Sequence, residues 1–160
     1  MNARKLAVLA GAAVAFAAGI AHAQIPQYGP NITLDQAKTA AAAADADAKS
    51  RGWPMAIAIV DTAGMLVFYQ KADGTQNASV LVSQQKAYTA AMYRRSTKVI
   101  QDAIAGGGAG LRFLTLRDAT AVEGGLPLMI GGKIVGAIGI SGMASDQDGM
   151  IAASGAGALK

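Results

Sequence analysis

From Leu6 to Ile20 every position is Leu, Ala, Val, Phe, Ile or Gly, an apolar run of 15 residues. It follows the cationic start Met1-Asn2-Ala3-Arg4-Lys5. It ends at Ala21-His22-Ala23, with small residues at −3 and −1 of a cleavage site before Gln24. That three-part order is a secretory leader, and the run is short for a spanning helix, which needs about 20 residues. The pattern predicts a cleaved leader over 1–23 and a periplasmic or secreted product, with no membrane insertion after cleavage. Position 24 is Gln and not Cys, which argues against a lipid anchor there.

After a Pro-punctuated lead-in over 24–32, a single domain is expected over 33–160. Thr33-Leu34-Asp35-Gln36 has capping-box spacing, and Leu34, Ala37, Ala41, Ala44 and Ala48 follow one helical face. Gly52 is a natural C-terminal stop. Met55–Val60 is apolar on both faces, as in a strand covered on two sides. Asp61-Thr62-Ala63-Gly64 supplies turn chemistry into a second strand over Met65–Lys71.

Helical spacing resumes from about Val80 to Arg95 and again over Lys98–Ala105, before the flexible break Gly106-Gly107-Gly108-Ala109-Gly110. Two more strands flank Gly131-Gly132, a favoured hairpin turn. On the second of these, Val135, Ala137 and Gly139 make a face small enough for close approach by a helix, a subunit or a flat ligand. Ser145-Asp146-Gln147-Asp148, with Ser145 first, is expected to cap a last helix. The order is helix, hairpin, helices, hairpin, helix, an α+β class.

Removing the leader changes the charge balance. Loss of Arg4 and Lys5 takes the basic count from 14 to 12 against 10 acids, and the net charge from +4 to +2. The basic character is therefore weak support for a nucleic-acid or membrane partner, and no nucleic acid is expected. His22 is the sole histidine and there is no cysteine. The mature chain would have no imidazole and no disulfide, which excludes Ser-His and Cys-His nucleophile chemistry.

Three stretches carry a resemblance: "IAIVDTAGMLVFYQKADG", "QQKAYTAAMYRRST" and "GGLPLMIGGKIVGAIGISGMASDQDGMIAASGAGAL". In order and spacing, over almost all of Thr33–Leu159, they resemble the GlcG/HbpS family of haem-binding-like proteins. The resemblance implies a profilin-like fold, an antiparallel sheet flanked by helices, and a tendency to form homo-oligomers. It implies haem as cofactor or ligand, degraded by some members, and a membrane sensor protein as partner for some.

Candidate chemistry gathers near one helix end, at Lys86, Tyr88, Thr89, Tyr93, Arg94, Arg95 and Thr97. A tetrapyrrole needs an apolar slot, cations for the propionates and usually an axial ligand. Lys86 and Arg94 or Arg95 suit the propionates. Tyr88 or Tyr93, one of the two, suits ferric iron in a chain without mature His or Cys. The tyrosines lie about 140° apart around an ideal helix and do not serve one iron together.

"DQDG" lacks the spacing and terminal Glu of a calcium loop. "GGGAG" lacks the Gly-Lys-Ser/Thr ending of a phosphate loop. The reading is an exported oligomeric protein that binds haem or a related flat molecule for storage, buffering or sensing. Two alternatives stay open. One is an enzyme on a small organic substrate with Lys86 or a carboxylate (Asp61, Asp73 or Glu123) as acid or base. The other is an oligomeric interaction protein without a small ligand.

Overall fold

A computed structural model describes residues 25–159. The expected leader over 1–23, His22 included, lies outside the described residues. The elements are α1 (Leu34–Ser50), β1 (Ala56–Asp61), β2 (Leu66–Lys71), α2 (Ser79–Tyr93), α3 (Thr97–Ala105), a 3₁₀ segment (Gly108–Thr115), β3 (Gly125–Ile130), β4 (Lys133–Ser141) and α4 (Ser145–Gly157). Four antiparallel strands run in the order β2-β1-β4-β3. This is the α+β sheet-and-helix sandwich that the sequence predicts.

The two sheet faces differ in thickness because side chains alternate along each strand. Ile57 and Ile59 of β1, Ile138 and Ile140 of β4 and Leu128 of β3 meet the alanine face of α1 together with Ile151 and Ala152 of α4. Each fully buried isoleucine contributes about 1.5–3 kcal/mol relative to exposure. The opposite face is thin: Ala58, Val60 and Ala137 pack on Ala87, Ala90 and Ala91 of α2. Here Gly139 lets the helix approach the strand. A Cβ on it would fall 2.0 Å from the Ser83 carbonyl oxygen and 2.5 Å from the Ala87 nitrogen. Of the three occupants expected for this face, the helix takes it.

Local rules account for most boundaries. Thr33 caps α1 with both halves of the capping box formed with Gln36. Gly52, at φ +68°, follows the last turn. The β3–β4 hairpin turns at Gly131 and Gly132 with φ +56° and +74°, the left-handed backbone a tight hairpin needs. Between β1 and β2 the register slips: Ile59 pairs with Phe68, but Val60 pairs with Leu66. The extra residue, Val67, is a bulge, and it brings Leu66 opposite Val60.

Several expected details differ. Leu34 is 49% exposed, and Ala40 takes its place on the buried face. α2 stops at Tyr93 because Arg94 turns left-handed at φ +53°. The flexible break expected at Gly106–Gly110 leads into ordered 3₁₀ structure. Ala144, not Ser145, is the N-cap of α4, where Gln147 accepts from the Ala144 N–H at 3.1 Å.

The lead-in is structural. β4 outruns β1 at its start, and residues 27–32 fill the gap: Gly29 donates to the Ile134 carbonyl and Ile32 to that of Val135, each at 2.7 Å. The Tyr28 hydroxyl donates to the Ala91 carbonyl at 2.8 Å, tying this strap to the end of α2.

Candidate functional site: a cleft beside α2

Helix α2 sends its side chains to two environments. Ser79, Ser83, Lys86, Ala87 and Ala90 recur at helical spacing on the face against the sheet, and all are buried. Leu81, Gln84, Gln85 and Tyr88 line an open cleft of about 590 Å³. Its other walls are Val60, the hairpin residues Gly64, Met65 and Leu66, and the segment Asp118-Ala119-Thr120. The bulge at Val67 places Leu66 in this wall.

Tyr88 rests against the hairpin turn, where a Cβ at Gly64 would fall 2.5 Å from its ring. Among the described residues its hydroxyl has no hydrogen-bond partner, whereas the Tyr93 hydroxyl donates to the Arg117 carbonyl at 2.6 Å. The far wall is pinned to α2. Thr120 N–H donates to Thr89 Oγ1 at 2.9 Å, and that hydroxyl donates to the Gln85 carbonyl at 2.8 Å. Asp118, at φ +56°, holds a left-handed backbone at the rim.

The remaining residues predicted for a tetrapyrrole site go elsewhere. Lys86 is 1% exposed, and its Nζ donates to Asp148 Oδ2 at 2.7 Å and to the Ile140 carbonyl at 3.0 Å. Expected as a propionate partner, or as an acid or base in the alternative reading, Lys86 instead forms a buried ion pair joining α2 to α4. Met143 N–H donates to the other Asp148 oxygen at 3.1 Å. Burial pushes the Asp148 carboxyl up, and the Lys86 ammonium pulls it back. Gly124 and Gly125 cover this pair closely: a Cβ on Gly124 would lie 2.9 Å from Lys86 Nζ, and one on Gly125 would lie 2.3 Å from the Lys86 carbonyl oxygen.

Thr97 is buried and accepts from the Gly125 N–H at 2.9 Å. Arg94 stacks over Tyr28 at 5.5 Å, and Arg95 donates to the Tyr93 carbonyl at 3.0 Å while lying 5.9 Å over the Phe113 ring. Neither lines the cleft, so the expected cation set does not converge on Tyr88. The charged group at the cleft is Asp118. Residues that the sequence did not single out, Met65, Leu66, Leu81, Gln84 and Gln85, make its walls. Among the described residues, no group of three or more His, Cys, Asp and Glu side chains is placed to hold a metal ion.

Residues 32–157 match the family model described as haem degrading protein, HbpS-like. The chain belongs to the HbpS-like family. Protein GlcG of Escherichia coli (strain K12) is 33% identical over 110 residues, which span 69% of this chain and 81% of GlcG. A double mutant of Streptomyces reticuli HbpS superimposes with a TM-score of 0.75 and 27% identity, covering 95% of this chain and 99% of HbpS. A PduOC:heme complex superimposes at 0.73 with 25% identity, over 81% of this chain and 96% of PduOC. The HbpS-like domain is thus haem-binding-like in family and fold, and the antiparallel sandwich is common to these structures.

Proposed function

We propose that this HbpS-like protein is an exported, homo-oligomeric binding protein that stores, buffers or senses haem or a related flat molecule held in the cleft beside α2. The observation that carries this reading is Tyr88, set in the wall of a cleft of about 590 Å³ with no hydrogen bond to its hydroxyl among the described residues. Ligand pockets are commonly about 300–1,000 Å³ and mostly apolar. The lining suits a flat apolar ring with one oxygen ligand and supplies no cation, so the carboxylates of a tetrapyrrole would point out to solvent. Leu66, Leu81 and Met65 would hold the apolar ring, Tyr88 would offer the oxygen, and Gln84, Gln85 and Thr120 would serve polar groups at its edge. Haem, when bound, supplies a Lewis-acidic iron that phenolate oxygen can ligate. Membership of the family and the likeness to a PduOC:heme complex support the same ligand class.

The experiment is a hemin titration of the purified protein. A saturable Soret shift with a tyrosinate charge-transfer band is expected. Tyr88→Phe removes that band, and Tyr93→Phe leaves it. A titration without saturation overturns the reading. Export and assembly have separate tests. Mass spectrometry of secreted or periplasmic material should find Gln24 as the first residue, and intact Met1 as the dominant species would refute export through this leader. Among the described residues, two sheet edges, β2 and β3, lack a neighbouring strand on one side, which supports self-association. Light scattering should give a multiple of the monomer mass.

A further inference from the structure

The 3₁₀ segment Gly108–Thr115 buries none of its residues. At three residues per turn Leu111 and Leu114 eclipse one another on one face, and they stand 49% and 67% exposed. Behind them Phe113 is half-buried, with Arg95 and Arg112 over its ring at 5.9 and 5.4 Å. Neither arginine has an acidic partner among the described residues. Two nearby acids are already paired, Asp102 with Lys98 at 2.8 Å and Asp118 with Arg117 at 3.3 Å. The Arg117 side chain is 93% exposed.

Adjacent protruding leucines bracketed by arginines have the chemistry of an interfacial anchor. The apolar side chains enter the boundary between headgroups and acyl chains, and the guanidiniums stay with anionic headgroups. The segment rests on α3 at Gly110, where a Cβ would fall 1.8 Å from the Ala103 carbonyl oxygen, and its outward edge offers two leucines, too little apolar area for a stable protein–protein interface but enough to enter the headgroup boundary. We propose that this edge docks the protein on an anionic phospholipid surface. Asp118 of the cleft wall follows Thr115 by three residues, each spanning at most about 3.6 Å, so docking holds that wall close to the bilayer. The docking stands whether or not the cleft binds haem.

The test is co-sedimentation of the purified protein with vesicles of phosphatidylglycerol and phosphatidylcholine in equal parts, against pure phosphatidylcholine vesicles. Binding to the anionic vesicles is expected at low ionic strength, with release by salt and little binding to the neutral ones. Arg112→Gln should weaken partitioning roughly fivefold. Leu111→Ser with Leu114→Ser should weaken it by more than roughly tenfold. Arg112→Gln and the double leucine variant should leave the melting temperature and the hemin spectrum unchanged, which separates loss of docking from misfolding and from failure of the cleft reading. Equal binding to both vesicle types, no binding to either, or full binding by the leucine variant overturns the proposal. So does a wild-type protein that ignores vesicles while the leucine variant loses oligomer mass, a result that assigns the face to contacts between copies.

Discussion

Lys86→Met removes the ammonium from the Lys86–Asp148 pair and leaves the aspartate in place. The side chains are 1% and 2% exposed, so water does not substitute for the lost partner. Asp148 would retain the Met143 N–H on one oxygen, while the oxygen that Lys86 held at 2.7 Å would lose its donor. Breaking a buried pair from one side costs about 3–5 kcal/mol, a large share of the roughly 5–15 kcal/mol that stabilises a domain. Urea unfolding followed by fluorescence of Trp53, the sole tryptophan, reads this at pH 7.

The double variant Lys86→Met/Asp148→Leu removes both charges and should recover most of the loss, because an apolar replacement avoids desolvating two ions. The deficit of the single variant should also depend on pH. Burial already raises the Asp148 carboxyl, and without Lys86 it rises further. The folded state then binds the proton more tightly than the unfolded chain does. Stability of Lys86→Met therefore falls as pH rises between the unfolded and folded pKa values, and its deficit shrinks toward roughly pH 4. A loss below about 1 kcal/mol, or a double variant no better than the worse single, would refute the reasoning.

Gly139→Ala should destabilise by about 1–3 kcal/mol, seen as a lower melting temperature, because the new Cβ meets the Ser83 and Ala87 backbone of α2 at 2.0 and 2.5 Å. Thr33→Ala should lose about 1 kcal/mol by removing the side-chain half of the α1 capping box. The Arg51 and Ser154 hydrogen bonds hold the Asp47 carboxyl below its ordinary range. Its stabilisation is therefore complete above that range and lost as pH falls through the folded pKa. An acid-unfolding series should show this loss in the wild type and its absence in Asp47→Asn.

Much of the architecture is written in local signals. Thr33 and Gln36 bracket the start of α1, Gly52 marks its end, and Gly131-Gly132 dictates the second hairpin, since each depends on backbone chemistry within a few residues. The α+β order and the two-sided burial of β1 follow from periodicity. The haem-binding-like family was legible as a resemblance, carried by three stretches in fixed order. Tyr88 was also legible as a candidate, because Tyr is a rare type here in a chain whose one histidine lies in the expected leader.

The destination of each charge was decided by the tertiary structure. Lys86 and Asp148 are 62 residues apart. Each sits on the buried side of its helix, Lys86 with Ser79, Ser83 and Ala87, and Asp148 with Ile151, Ala152 and Gly155. Those spacings mark a charge on a core face that needs a partner, but not which partner. Only the packing of α2 and α4 against the same strands brings the two together. The same holds for Arg94 and Arg95, which read as propionate partners from their place beside Tyr93. The left-handed turn at Arg94 and the strap carrying Tyr28 draw Arg94 to the Tyr28 ring, and the 3₁₀ segment brings Phe113 beneath Arg95. Sequence specifies chemistry and local backbone, because those depend on near neighbours. The cleft depends on a bulge, a turn and a distant loop meeting α2, and that meeting is set by packing across the whole chain.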